Sequence, residues 1–132
     1  MKYEDMSDWE ITRRVVEIRC QGQLIKFLPQ EDILEPMTSG VMSDKLKIIT
    51  ESGREQVIDV CNNPSDAWPI IVENKISISH SIALYRADAL VYNSKFDNGF
   101  KIFKQDSQLG DTSSRGALRA AMICFLKMKD AE

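Results

Sequence analysis

The stretch CNNPSDAWPIIVENKISISH, residues 61–80, decides the fold because it encodes the entry to a short helix and then a strand. Asn62 or Asn63 can cap the helix, since a side-chain amide oxygen accepts a hydrogen bond from a free backbone N–H of the first turn. Pro64 suits the first helical position, and Asp66 places negative charge where the helix dipole favours it. These residues predict a fixed helix entry that needs no ligand.

Pro69 limits where the regular part of this helix can begin. A proline deep inside a helix removes a backbone hydrogen bond and clashes with the preceding turn. We therefore predict that residues 64–68 form a tight first turn and that the regular helix starts near Pro69. Its end is expected around residues 73–75, with Asn74 as the C-cap.

Alternation of isoleucine with serine predicts a half-buried strand directly after the helix. Ile76, Ile78, His80 and Ile82 share one face of that strand. His80, the chain's only histidine, then takes an inward position. We interpret it as a buried or half-buried structural residue, and we expect it neither to act in catalysis nor to bind a metal.

The N-terminal part of the chain predicts a capped helix and a short strand. Ser7 and Glu10 fit a capping box, in which each side chain accepts a hydrogen bond from the backbone N–H of the other residue. A helix should run from about Asp8 to Ile18. Residues 24–28, LIKFL, form a compact apolar run that predicts a strand.

A hairpin and a loop are predicted between that strand and residue 61. Residues 45–50, KLKIIT, and residues 55–60, EQVIDV, flank ESGR, and this arrangement favours a β-hairpin with Gly53 at a positive φ. Residues 30–43 are polar and without a clear period, and they predict a loop that is free to move.

The C-terminal part predicts a second hairpin and a long buried helix. The hairpin covers residues 90–104, where a turn-rich segment precedes an alternating strand. Ser113 and Ser114 are candidate caps for the last helix. An apolar face of that helix should lie across the sheet, and it contains Leu118, Ala121, Met122 and Phe125.

Two contacts are expected between this last helix and the helix near residue 64. One core is expected to contain Trp68, Leu118, Met122 and Phe125. Arg119 lies on an otherwise apolar helix, where an unpaired charge is costly. We predict that it pairs with a carboxylate of the earlier helix, Asp66 before Glu73, so that residues 61–80 act as a docking element for the last helix.

The chain has 132 residues, 43% of them hydrophobic and 28% charged, which is enough for one domain with its own core. Helices and strands follow the order α, β, ββ, α, β, ββ, α, without a repeat or a linker. The sequence therefore predicts a single α+β domain over residues 1–132. In it, an antiparallel sheet of about five strands packs against three helices.

Composition argues against several functional classes. The net charge of −3 lowers the expectation of nucleic-acid binding, which usually needs a concentrated basic surface. Three cysteines, Cys20, Cys61 and Cys124, form no C-x-x-C pair and favour reduced thiols in a cytoplasmic protein. The acidic start and the lack of a long apolar run predict neither a signal peptide nor a membrane span. No motif predicts catalytic residues, a cofactor site or a metal site.

Three blocks of the sequence together resemble the NinX-like phage proteins. The blocks are MSDWEITRRVVE, CNNPSDAWPIIVENKISI and RGALRAAMICFLKMKD, at residues 6–17, 61–78 and 115–130. The sequence departs from the family at the last block, where SRGALRAAM replaces the usual NPLRAAM. The resemblance implies an accessory protein of lambdoid phages or prophages, present in the cytoplasm of the bacterial host. It implies no activity and transfers no catalytic residue.

Nine residues of these blocks make up what we define as the structural signature. Each is expected to shape or to fill the contact between the second and third helices. They are Asn63, Pro64, Asp66, Trp68, Pro69, Leu118, Arg119, Met122 and Phe125.

The favoured function is binding of a host or phage protein, because the chain is compact and lacks a catalytic motif. The best candidate surface is the segment at residues 30–43, since connecting loops often carry recognition. Association with nucleic acid is an alternative, and its candidate residues are Arg13, Arg14, Arg19, Arg115 and Arg119. An enzyme of unrecognised type and a structural role in a homo-oligomer also remain open.

Overall fold

A computed structural model describes residues 2–30, 43–108 and 114–132 of the chain. The chain divides into two compact units, Met1–Asp59 and Val60–Glu132. Each unit contains its own three-stranded sheet and at least one helix.

Within the described residues, three α-helices and six strands form the α+β fold that the sequence predicts. They are α1 Asp8–Arg19, β1 Lys26–Phe27, β2 Leu46–Ile49, β3 Glu55–Ile58, α2 Pro64–Glu73, β4 Ser77–His80, β5 Tyr85–Tyr92, β6 Phe100–Asp106 and α3 Ser114–Asp130. All their pairings are antiparallel, in two sheets of order β1-β2-β3 and β4-β5-β6 rather than in one sheet of about five strands. Alternation reveals strands, but their pairing depends on contacts distant in sequence.

The first unit begins with the predicted capped helix. The backbone N–H of Glu10 donates to Oγ of Ser7 at 3.1 Å, as in a capping box. The Glu10 carboxylate accepts from the Ser7 hydroxyl at 3.2 Å. The helix extends one residue beyond the predicted end, to Arg19, and buries one face that contains Ile11, Thr12, Val15 and Val16.

The sheet of the first unit follows the predicted hairpin. Strands β2 and β3 pair through residues 46–58, and Gly53 adopts φ +83° in the turn between them. That conformation favours glycine because a Cβ would be strained there. The core of this unit contains Val16, Leu46 and Ile48, and partly buried hydrophobic residues pack against it.

Helix α2 begins earlier than predicted. Asn63 caps it by accepting a hydrogen bond from the N–H of Ser65 at 3.0 Å, and the helix is regular from Pro64 onward. Pro69 therefore lies inside the helix instead of starting it. The bond that it removes would have reached the carbonyl of Ser65, and both residues are exposed, so water can replace the missing donor.

The C-terminus of α2 is a Schellman motif. Ile76 donates its N–H to the carbonyl of Ile71 at 3.0 Å, and Lys75 donates to Val72 at 3.2 Å. Lys75 takes the left-handed position with φ 53°. The C-cap is Asn74, as predicted, and its side chain also donates to the carbonyl of Ile70 at 2.8 Å.

The second unit places α3 on one face of the sheet β4-β5-β6, where it packs mainly on β5 and β6. Ala87 and Ala89 are buried in that sheet face, and their small side chains allow the helix to approach closely. Helix α2 packs on α3. The predicted interior position of the last helix is confirmed, with Leu118, Met122 and Phe125 all buried. Ser113, one of its two candidate caps, lies outside the described residues.

The predicted burial of Trp68 is wrong, because 63% of its surface is exposed. The inward positions of α2 are taken by Ala67, Ile70 and Ile71, which are buried. Trp68 follows Ala67 by about 100° around the helix. It therefore points outward together with Val72, one turn later.

His80 is exposed, in contrast to its predicted inward position. His80 does share a sheet face with Ile78, but the side chains on this face become more exposed toward the end of the strand. Exposure rises from 6% at Ile76 to 38% at Ile78 and 100% at Ile82. The His80 ring packs edge-on against Tyr85, with the ring centroids 6.1 Å apart.

Candidate functional site on the outer sheet face

Five of the nine residues of the structural signature support the fold. Asn63 and Pro64 start α2, while the buried signature residues of α3 fill the core of the second unit. The side chain of Arg115 donates to Oδ1 of Asn62, which joins the starts of the two helices. The pairing of half-buried Arg119 with Asp66 or Glu73 remains a prediction.

The three cysteines form no disulfide with one another. Cys20, Cys61 and Cys124 are all free, and the last two are buried. Burial raises the pKa of the Cys124 thiol to about 11, and its Sγ lies 3.5 Å from the carbonyl oxygen of Phe103. A thiol with this pKa stays protonated at neutral pH and is a poor nucleophile. In the described part of the chain, no three His, Cys, Asp or Glu residues cluster closely enough to hold a metal.

A contiguous apolar surface covers the face of the second sheet that is turned away from α3. We call it the outer patch and define it as Leu90, Tyr92, Phe100 and Ile102. In the β5–β6 register Leu90 lies opposite Ile102, and Tyr92 lies opposite Phe100. The two aromatic rings are 6.4 Å apart. Alternation puts these residues on the face opposite Ala89 and Phe103, which are buried on the α3 side.

All four residues of the outer patch are well exposed. The exposed fractions are 47% for Leu90, 77% for Tyr92, 44% for Phe100 and 57% for Ile102. Single exposed hydrophobic side chains are common, whereas a contiguous group often marks an interaction site. The outer patch is therefore the main candidate binding surface of the described chain.

Charged pairs border the outer patch farther along the same strands. Arg86 donates two hydrogen bonds to the Asp106 carboxylate, at 2.6 and 3.2 Å, and these bonds lower the pKa of Asp106. The next pair toward the outer patch is Asp88 opposite Lys104. The sheet face thus changes from charged at one end to apolar beside the hairpin turn.

Strand β6 lies at an edge of its sheet, and half of that edge is closed by side chains. Hydrogen bonds Asn93–Gly99 and Ser107–Tyr85 at the ends of the β5–β6 ladder show that its odd-numbered residues pair. The even-numbered residues of β6 therefore point their N–H and C=O groups away from β5. Two of these outward carbonyls are occupied, that of Lys104 by Lys127 Nζ at 3.3 Å and that of Asp106 by Gln105 Nε2 at 3.1 Å.

Two lysine-rich grooves lie beside the other half of this edge. The first has a volume of about 440 Å³ and lies between β6 and the end of α3, where its charged residues are Lys101, Lys104, Lys127 and Asp130. The second has a volume of about 330 Å³ at the hairpin turn and contains Lys95, Asp97 and Lys101 among its lining residues. Lys101 is shared by both grooves and lies 5.0 Å above the ring of Phe103.

Sequence reasoning predicted both strands of the outer patch but not the patch itself. A signal was present, because β5 carries apolar residues on both faces, Ala87 and Ala89 on one and Leu90 and Tyr92 on the other. The loop proposed for recognition lies outside the described residues except for its ends, where Gln30 donates to the carbonyl of Ser43 at 2.8 Å.

Part of the arginine cluster considered for nucleic-acid binding is engaged within the first unit. Arg13 and Arg14 both pair with Glu17, at 3.1 and 3.6 Å. The Arg13 guanidinium also lies 4.9 Å above the Phe27 ring. These contacts give two of the five arginines, Arg13 and Arg14, a structural role within the first unit.

Comparison with known proteins identifies a family for this chain. The model of a family described as Bacteriophage P22, NinX matches residues 2–129. No curated protein and no solved structure matches the chain significantly. Among its described helices, none combines the length and the hydrophobicity that a membrane span requires.

Proposed function

Because the chain belongs to the NinX family of bacteriophage P22, we propose that it acts as a phage accessory protein by binding a host or phage protein in the bacterial cytoplasm. Membership of a phage family supports the accessory role. The outer patch is the single observation that supports binding as the mode of action.

The chemistry of the outer patch suits a protein partner. Leu90 and Ile102 form an aliphatic half, and Tyr92 and Phe100 form an aromatic half. Burial of such apolar surface contributes roughly 25 cal/mol per Å², and tyrosine is enriched among the residues that dominate protein interfaces. The bonded charges at Arg86 and Asp106 provide the polar border that interfaces commonly have.

Single-stranded nucleic acid is a second candidate for the same surface. Bases can stack on exposed rings such as Tyr92 and Phe100 while lysines contact phosphates, and Lys104 lies on the same sheet face. The aliphatic half argues against it, because Leu90 and Ile102 offer bases neither a ring nor a hydrogen bond. A protein partner accounts for all four residues of the outer patch.

Site-specific photocrosslinking in the bacterial host tests the proposal. A photoreactive phenylalanine analogue that replaces Tyr92 should yield one discrete protein adduct, mapped by mass spectrometry to that position. Leu90→Thr and Ile102→Thr should each reduce the adduct strongly, while their exposure keeps the stability change within about 0.5 kcal/mol. Ile82→Thr is the matched control. Ile82 is fully exposed but lies outside the outer patch, so this variant should leave the yield of the adduct unchanged. Absence of a protein adduct, or insensitivity to both variants, would reject the proposal.

A further inference from the structure

Within the part of the chain that the structure describes, the half of the β6 edge at Phe100–Ile102 is open, and this open half indicates what kind of partner fits beside the outer patch. We propose that the partner adds an extended segment, with alternating acidic and apolar residues, along Phe100–Ile102. This inference rests on the proposed function and identifies the chemistry of the partner at that site.

The backbone supports strand addition at this place. Phe100 and Ile102 are even-numbered residues of β6, so their N–H and C=O groups point away from β5 and toward the space beside the sheet. An added strand can pair with these groups by main-chain hydrogen bonds. It cannot extend in the same way past Lys104, because the outward carbonyls of Lys104 and Asp106 already accept side-chain donors.

The charges of the grooves support an acidic segment. Four lysines and two aspartates line the two grooves, in a chain whose net charge is −3. Positive charge is therefore concentrated beside the open edge. An acidic partner is attracted there and is favoured over a neutral or basic one.

The two faces of the sheet explain why the segment should alternate. Successive side chains of an added strand point to opposite faces. One set extends the outer patch beside Phe100 and Ile102, where apolar side chains can be buried. The other set points to the α3 side, where Lys101 and Lys127 line the first groove. A period of two, apolar on one side and acidic on the other, satisfies both surfaces.

A second copy of this chain fits the edge poorly. Two β6 strands paired there would bring together segments that both carry Lys101 and Lys104, and like charges across a strand pair are destabilising. Lysines on an edge strand are also a common protection against such pairing. The inference therefore assigns the complementary strand to another protein rather than to a second β6.

Amide NMR spectra of the full-length, isotope-labelled chain can test this with a synthetic peptide. The probe is acetyl-EIEVEIE-amide, and the matched peptide acetyl-KIKVKIK-amide has the same pattern with the opposite charge. The acidic peptide should shift the amide resonances of Phe100, Lys101 and Ile102, and its affinity should fall as salt is raised. Lys101→Gln should weaken the affinity for the acidic peptide by about threefold to tenfold. Lys45 is an exposed lysine of the first unit, so Lys45→Gln should leave this affinity unchanged.

The inference would be overturned by no shifts with the acidic peptide, by equal shifts with the basic peptide, or by shifts of other residues only. Stronger perturbation of the same amides by oligothymidylate would reject it in favour of single-stranded nucleic acid. Crosslinking at Tyr92 reports on the outer patch independently. If the peptide fails while the Tyr92 adduct forms, only the acidic segment is rejected and the proposed function stands.

Discussion

The Nζ atom of Lys127 lies 3.3 Å from the backbone carbonyl oxygen of Lys104 and so covers part of the free edge of β6. It also donates to Oε1 of Gln105 at 2.5 Å. Because an exposed edge carbonyl can pair with another strand, we expect Lys127→Met to increase self-association. Sedimentation velocity over a range of concentrations measures this effect.

Lys129→Met is the control for this experiment. Lys129 lies on the same turn of α3 but forms its ion pair with Glu132, at 3.1 Å, and not with the strand edge. If both variants associate equally, loss of positive charge is the cause, and the Lys127 contact does not protect the edge.

Phe125 and Trp68 should differ sharply in their contribution to stability. Phe125 is 2% exposed, so Phe125→Ala should lower the free energy of unfolding by about 3–5 kcal/mol through lost burial and a cavity. Trp68 is mostly exposed, so Trp68→Ala should cost less than about 1 kcal/mol. Urea unfolding of both variants gives the comparison. A large loss for Trp68→Ala would mean that this side chain is buried in solution.

Replacing Lys75 by glycine should stabilise the chain. Lys75 has φ 53° at the end of α2, a conformation that costs a residue with a Cβ more than it costs glycine. We expect Lys75→Gly to raise the free energy of unfolding by about 0.5–1 kcal/mol, after the entropy of the unfolded chain is included. Thermal and urea unfolding test it. Lys75→Ala keeps the strain and should show no gain, and equal gains would implicate the lysine charge instead.

Local signals in the sequence predicted the helix caps and turns well. Ser7, Asn63 and Gly53 act through their own neighbours, so their roles follow from residue type and spacing. The sequence predicted the exposure of side chains less well. Periodicity shows which residues share a face, but it does not show whether another helix or strand covers that face. Trp68 was expected inside because it was placed on the apolar face of its helix, yet Ala67 and Ile70 occupy the covered face of α2.

The outer patch shows the same limit at the candidate site. Leu90 and Ile102 read as ordinary strand residues until their pairing and the position of α3 are known. The closed half of the edge depends on a contact between Lys127 and Lys104, which are distant in sequence. The sequence signal for the outer patch is limited to the apolar residues on both faces of β5, and the closed half of the edge has none, since it arises from tertiary packing.

The Arg86–Asp106 pair should make a small contribution to stability that disappears in acid. Hydrogen bonds from Arg86 lower the pKa of Asp106 below its ordinary value of 3.8. The contribution is therefore fully present above that value and is lost as pH falls through the lowered pKa of the folded chain. Asp106→Asn should reduce the melting temperature slightly at pH 7, and this difference should shrink as the pH falls below 3.8. The effect is small because both side chains are exposed. A difference in melting temperature that does not shrink in acid would exclude the ionised pair as its cause.

Arg119 and Asp66 should be coupled across the contact between α2 and α3. Arg119 is half-buried on α3, Asp66 is half-buried in the first turn of α2, and the two helices pack together. An arginine at such a position can hold a carboxylate with two bonds, so Arg119→Ala and Asp66→Ala should each destabilise the chain. The double variant should cost clearly less than the sum of the single losses, by about 0.5 kcal/mol or more. Urea unfolding of the four proteins measures this coupling, and the same cycle with Glu73→Ala tests the second carboxylate. Additive losses with both acids would mean that Arg119 meets neither, and the α2–α3 contact would then depend on apolar packing and on the Arg115–Asn62 bond.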